Sequence, residues 1–163
     1  MPSPHASHEI NIRSSRFYIA RTVSTCWHCG SPTALVALAV PPGHETLDVD
    51  DEVSAWSVAD HNAFLFYIDF LPAAIQDRLN QHLPSYRRGD GALAAGSYWA
   101  NHCGRCGSRL DDHELFCEPE GAFSPTSEST AAAIRLAAVD EAFETSAAGY
   151  SYEPQYFSAM DRG

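Results

Sequence analysis

"CWHCGS" occupies residues 26–31, and the same frame returns 77 positions later as "CGRCGS", residues 103–108. A Cys-x-x-Cys loop sets two sulfurs at the separation tetrahedral zinc requires, with Zn–S near ~2.3 Å, and two such loops close a four-coordinate shell. The pairs therefore predict one structural Zn²⁺ held by Cys26, Cys29, Cys103 and Cys106. Gly30 and Gly107 stand just after the second cysteine of each pair. The exit of such a turn asks for positive φ, which glycine adopts without a Cβ penalty, and the turn amides can then point at thiolate sulfur. His28, inside the first loop, and His102, beside Cys103, are the alternative ligands.

Compact zinc ribbons separate their pairs by about 15 to 20 residues, whereas 73 residues lie between Cys29 and Cys103. Loop-closure entropy grows only logarithmically, so the extra length costs on the order of 1 kcal/mol. Structural zinc supplies ~10 to 16 kcal/mol of apparent binding energy in small peptides, so sequence distance does not veto the site. Redox chemistry is the rival use of a C-x-x-C pair, but it wants a helix start, and Gly30-Ser31-Pro32 argues against a continuing helix. A zinc deaminase needs H-x-E and Pro-Cys-x-x-Cys, and neither pair follows a proline. Four thiolates also leave no open position for a substrate. "HELFC", residues 113–117, has Cys117 where the helical H-E-x-x-H peptidase motif has its second histidine. A short strand over 114–117 with a partly buried free thiol is expected there instead.

Outward from the first pair, "RFYIARTVST" alternates with period two and reads as a strand running into Cys26, and "TALVALAV" (33–40) reads as a strand buried on both faces. "PPGHETLDVDDEVSA" carries Pro, Gly and the clustered acids Asp48, Asp50, Asp51 and Glu52, which predicts a solvated loop. "HNAFLFYIDFLP" favours a strand by aromatic and β-branched content. Pro72 is placed to start a helix whose Ala74, Ile75, Leu79 and Leu83 share a face until Pro84 ends it. "SYRRGDGALAAG" is a glycine-rich connection into "SYWANHC", a short aromatic strand that enters the second pair. In "STAAAIRLAAVDEAF", Ala132, Leu136, Val139 and Phe143 recur at the helical period, with a strand from Ile134 as the alternative.

The 163 residues, 45% hydrophobic, can bury a real core. They divide into a disordered leader (1–15), a single domain (16–147) and an aromatic tail (148–163) that docks or stays flexible. The polar start lacks an export signal, and apolar runs such as "ALVALAV" are too short to span a bilayer; the expected compartment is the cytoplasm, where metal is a better use of cysteine than disulfides. All ten basic residues are arginine and the net charge is −11. The charge is uneven: residues 1–45 carry three Arg against two acids, 46–109 five against eight, and 110–163 two against eleven. An acidic pole repels phosphate backbones and attracts basic partners.

The blocks "CWHCG" and "YWANHCGRCGSRLDDHELFCEPEGAF" resemble a recurrent type of bacterial protein with a split zinc ribbon. Such proteins carry no assigned activity, so the resemblance implies zinc and fold only. The expected fold is α+β, with split zinc-ribbon β-knuckles, a small antiparallel sheet and one or two packed helices. The expected function is a non-enzymatic binding module in which Asp111, Asp112, Glu118 and Glu120 meet a basic protein, as an immunity- or antitoxin-type inhibitor would. The rivals are a nucleic-acid binder using Arg13, Arg16, Arg87, Arg88 and Arg105, and an enzyme with a pocket between ribbon and helix. No phosphate-binding loop or serine nucleophile motif supports the last.

Overall fold

The computed structural model describes residues 10–49, 54–88, 98–118, 121–151 and 156–162. Twelve strands dominate it: β1 (Ile12–Ser14), β2 (Phe17–Thr25), β3 (Pro32–Val40), β4 (Glu45–Val49), β5 (Ser54–Val58), β6 (Ala63–Phe70), β7 (Tyr86–Arg88), β8 (Trp99–His102), β9 (Arg109–Leu110), β10 (Arg135–Val139), β11 (Phe143–Tyr150) and β12 (Asp161–Arg162). The helices are short: α1 (Ala73–His82), a one-turn α2 (Glu128–Ala131), a π-helical turn over His113–Cys117 and a 3-10 turn over Phe157–Ala159. Strand order along the sheet is β12-β10-β2-β3-β6-β11-β1-β4-β5, with β8 also joined to β6, β7 and β9. All pairs are antiparallel except β10 with β12. The expectation of a small antiparallel sheet with packed helices is thus overturned by a twelve-stranded mixed sheet.

Three segments show where local sequence and tertiary pairing part. The acid-rich stretch read as a loop is the hairpin β4–β5, in which Leu47 faces Trp56 across the strands and Glu45 faces Val58. Alternation of polar and apolar residues at Glu45–Val49 outweighs the charge of its acids. The acids Asp50, Asp51 and Glu52 lie outside the described residues, as does the glycine-rich run 89–97. The helix expected through 129–143 ends after one turn, and Arg135–Val139 pair with Phe17–Arg21 as β10. Leu136 and Val139 share a face only in a helix; a free edge on β2 decides for the strand, tertiary pairing overriding the helical spacing and the alanines' preference, and the two side chains enter opposite clusters. Glu114–Cys117 form the π-helical turn rather than a strand.

The central strand β3 explains the core. Val36, Leu38 and Val40 face one cluster with Ile19, Leu65, Ile68 and the α1 residues Ile75 and Leu79. Leu35, Ala37 and Ala39 face the other, with Cys26, Cys103, Phe64, Phe116, Phe123, Ile134, Phe157 and Met160. An all-apolar run is what a strand covered on both sides requires. Of the helix face expected after Pro72, Ile75 and Leu79 are buried while Ala74 is exposed. Phe157 and Met160, in the aromatic tail, are buried in the second cluster, and Ile12 of β1, inside the polar leader, is buried in the first.

Candidate metal centre

Strand β2 delivers the chain to Cys26 and β8 delivers it to Cys103, and the two turns that follow have the same backbone. The Cys26 amide donates to Ser31 O (2.9 Å) and the Gly30 amide to Cys26 O (3.0 Å); Cys103 donates to Ser108 O (2.8 Å) and Gly107 to Cys103 O (3.0 Å). Gly30 and Gly107 hold φ of +74° and +78°, the left-handed conformation the motif calls for. Across the turns, Thr33 Oγ1 accepts from the Gly104 amide (3.1 Å) and Ser31 Oγ from Arg105 (3.2 Å).

The four thiols that result lie within 4.8 Å of one another. The contacts at 3.6 Å run between knuckles, Cys26 to Cys106 and Cys29 to Cys103. A tetrahedral shell with Zn–S near ~2.3 Å places neighbouring sulfurs about 3.8 Å apart, so the spacing fits a metal ion. A disulfide at ~2.05 Å does not, and all the cysteines are free. Backbone amides also aim at sulfur: His28 N to Cys26 (3.4 Å), and Arg105 N (3.4 Å) and Cys106 N (3.5 Å) to Cys103. Hydrogen bonds to the thiolate form favour it. Ser108, through its hydroxyl and its amide, brings Cys106 down to about 5, and the amides of Cys106 and Arg105 lower Cys103; Cys26, despite the amides of Cys29 and His28, is raised by burial and by the sulfurs of Cys106 and Cys103. Cys26 and Cys103 are buried and Cys29 and Cys106 exposed, so each knuckle contributes one inward and one outward sulfur.

His102 is turned away from the sulfurs: its Nδ1 donates to the carbonyls of Ala100 (3.0 Å) and Ser85 (3.2 Å). His28 is exposed, edge-on to Trp27. Among the described residues no other group of three or more histidines, cysteines and acids could hold an ion. Two residues the motif reading passed over position the knuckles. Asn101, 1% exposed, accepts from Val36 N and donates to Val36 O, both 2.9 Å, completing the edge of β3 where no strand does. Trp27 is 64% exposed, its Nε1 donating to Arg109 O (2.9 Å). An asparagine two residues before Cys103 and a tryptophan inside the first loop were the available signals.

The carboxylates expected to face a partner divide. Asp111 and Glu118 reach the surface, Glu118 beside His113 at 3.4 Å, and Glu120 lies outside the described residues. Asp112 is 2% exposed, so it faces the interior rather than a partner. Its Oδ2 accepts from the Tyr67 amide (2.9 Å), where Tyr67 holds an uncommon φ of +52° within β6, and its Oδ1 has no partner among the described residues. Burial raises this carboxyl to about 7, the Tyr67 amide opposing. The arginines do not form one free stripe. Arg13 is bonded to Glu45 (3.0 Å) and stacked 3.9 Å over Trp56, Arg88 donates to Asp69 O (2.8 Å), and Arg105 sits on the second knuckle.

Fold and site together define a class: a mostly-strand protein whose central sheet carries a paired four-cysteine knuckle able to hold a metal ion. Comparison of the chain with family models, with curated proteins and with solved structures finds no match. The resemblance to split-ribbon bacterial proteins is therefore supported by the clustered cysteines alone. Among the described residues no helix is long and apolar enough to cross a membrane.

Proposed function

We propose that Cys26, Cys29, Cys103 and Cys106 hold one structural Zn²⁺, and that the clamped knuckles present a face that binds a basic protein. The convergence of four sulfurs within 4.8 Å carries the first part. Trp27 supports the second: a large aromatic left 64% exposed on a cross-linked turn. Tryptophan is over-represented among residues that dominate binding energy. Trp27 and Glu114 line one small cavity, and Asp111 and Glu118 flank Glu114 in the chain, so a partner arginine could stack on the indole and meet carboxylate together. The metal has a fixing role, since four thiolates leave no position for substrate. An immunity- or antitoxin-type inhibitor of a basic target fits this description.

Elemental analysis of protein purified without added metal should give one zinc per chain, and iron or a substoichiometric value would refute the metal assignment. Affinity capture from the native cytoplasm should recover a basic protein with the wild type and lose it with Trp27→Ala and Glu118→Arg. Equal recovery by all three would refute the binding face.

A further inference from the structure

The face of the sheet that α1 covers is left open beyond the last turn of that helix. There His82 and Leu83 border a groove of about 410 Å³ with Val23, Ala34, Arg21 and Arg135 around it, a size usual for small-molecule sites. Arg21 and Val23 follow Phe17 and Ile19 on the α1-facing side of β2 with the alternation of a strand. Their cross-strand neighbours Val36 and Ala34 share that side. The helix is too short to cover them, and Val23 stays 65% exposed.

The charge around this apolar floor is unusual for a protein of net charge −11. Arg21 and Arg135 are directly opposed in the β2–β10 register, and like charges so placed destabilise a sheet. Asp161 answers Arg135 at 3.1 Å. Among the described residues no carboxylate lies within ion-pair distance of Arg21. Counting Arg21 and Arg135 against Asp161 leaves a single positive charge, which one monoanion would balance.

We propose that this groove binds a small amphipathic carboxylate, its head between Arg21 and Arg135 and its apolar body along Val23, Ala34 and Leu83. A guanidinium takes a carboxylate with two parallel hydrogen bonds, and the exposed valine gives the ligand's body a surface to cover. The site is independent of the zinc assignment and of the Trp27 face.

The test is a titration of the full-length, as-purified protein with octanoate, followed by amide NMR shifts. Saturable shifts at Arg21, Val23, Ala34 and Leu83 are expected, with at least tenfold weaker binding of 1-octanol and of octanoate to Arg21→Ala. Val23→Asp, an exposed position that leaves the core untouched, should abolish binding while its spectrum stays dispersed. Shifts that do not saturate or lie elsewhere, equal affinity for 1-octanol, or an Arg21→Ala variant that binds like the wild type would each overturn the proposal. So would sedimentation showing that a second copy of the chain fills the groove.

Discussion

Replacing Asp112 by asparagine should stabilise the protein at neutral pH and leave it little changed in acid. The folded carboxyl titrates at about 7 against 3.8 for the free group, because burial penalises its charge. A raised value means that the unfolded chain releases this proton first. The contribution is undiminished below pH 3.8, is lost progressively as pH rises, and levels off above about 7. At 1.36 kcal/mol per pH step the full loss is about 4 kcal/mol, of which about 2.7 kcal/mol falls between pH 5 and pH 8. The amide side chain introduced by Asp112→Asn would still accept from the Tyr67 amide and cannot ionise. The other groups that act on this position or are acted on by it, Asp111, Arg109, Tyr67, Tyr86, Tyr98 and Cys117, are the same in both proteins. Urea unfolding of the metal-loaded proteins at pH 5 and pH 8 gives the comparison, and any pH dependence of metal affinity cancels between variant and wild type. The advantage of Asp112→Asn should grow by about 2 to 3 kcal/mol from the lower pH to the higher. Parallel pH profiles would refute the assignment of a neutral buried carboxyl.

Three further outcomes follow from the knuckles and the sheet. Cys26→Ser, or chelation of the wild type, should remove the metal and lower thermal stability steeply, since zinc energies of ~10 to 16 kcal/mol in peptides exceed the margin of most domains; calorimetry with and without chelator reads this. Gly30→Ala should cost about 1 to 2 kcal/mol through the left-handed turn alone, because φ is +74° and no atom lies within 4 Å of the new Cβ. A metal-competition assay should show weaker binding at unchanged stoichiometry. Asn101→Ala leaves the Val36 amide and carbonyl without their side-chain partner in the core, at roughly 1 to 3 kcal/mol for each unsatisfied group; hydrogen exchange at Val36 should accelerate accordingly.

The features legible along the chain are local. The knuckle frames, with glycine at the one position that needs positive φ, are written in consecutive residues, and so are the strands at 17–25 and 63–70 and the helix that Pro72 opens and Pro84 closes. The doubly buried β3 could also be read, since an apolar run this short, bounded by Gly30-Ser31-Pro32 and Pro41-Pro42, suits a strand covered on both faces. The tertiary structure decided the rest, because pairing energy belongs to two segments at once. Leu136 and Val139 carry the spacing of a helix face, yet the open edge of β2 turned their segment into β10, where they point to opposite sides of the sheet. Asp111 and Asp112 are chemically identical neighbours, yet one reaches the surface and the other caps the amide of Tyr67, 45 residues away. The opposition of Arg21 and Arg135 exists only in the register of two strands more than a hundred residues apart, and no reading of either segment alone contains it.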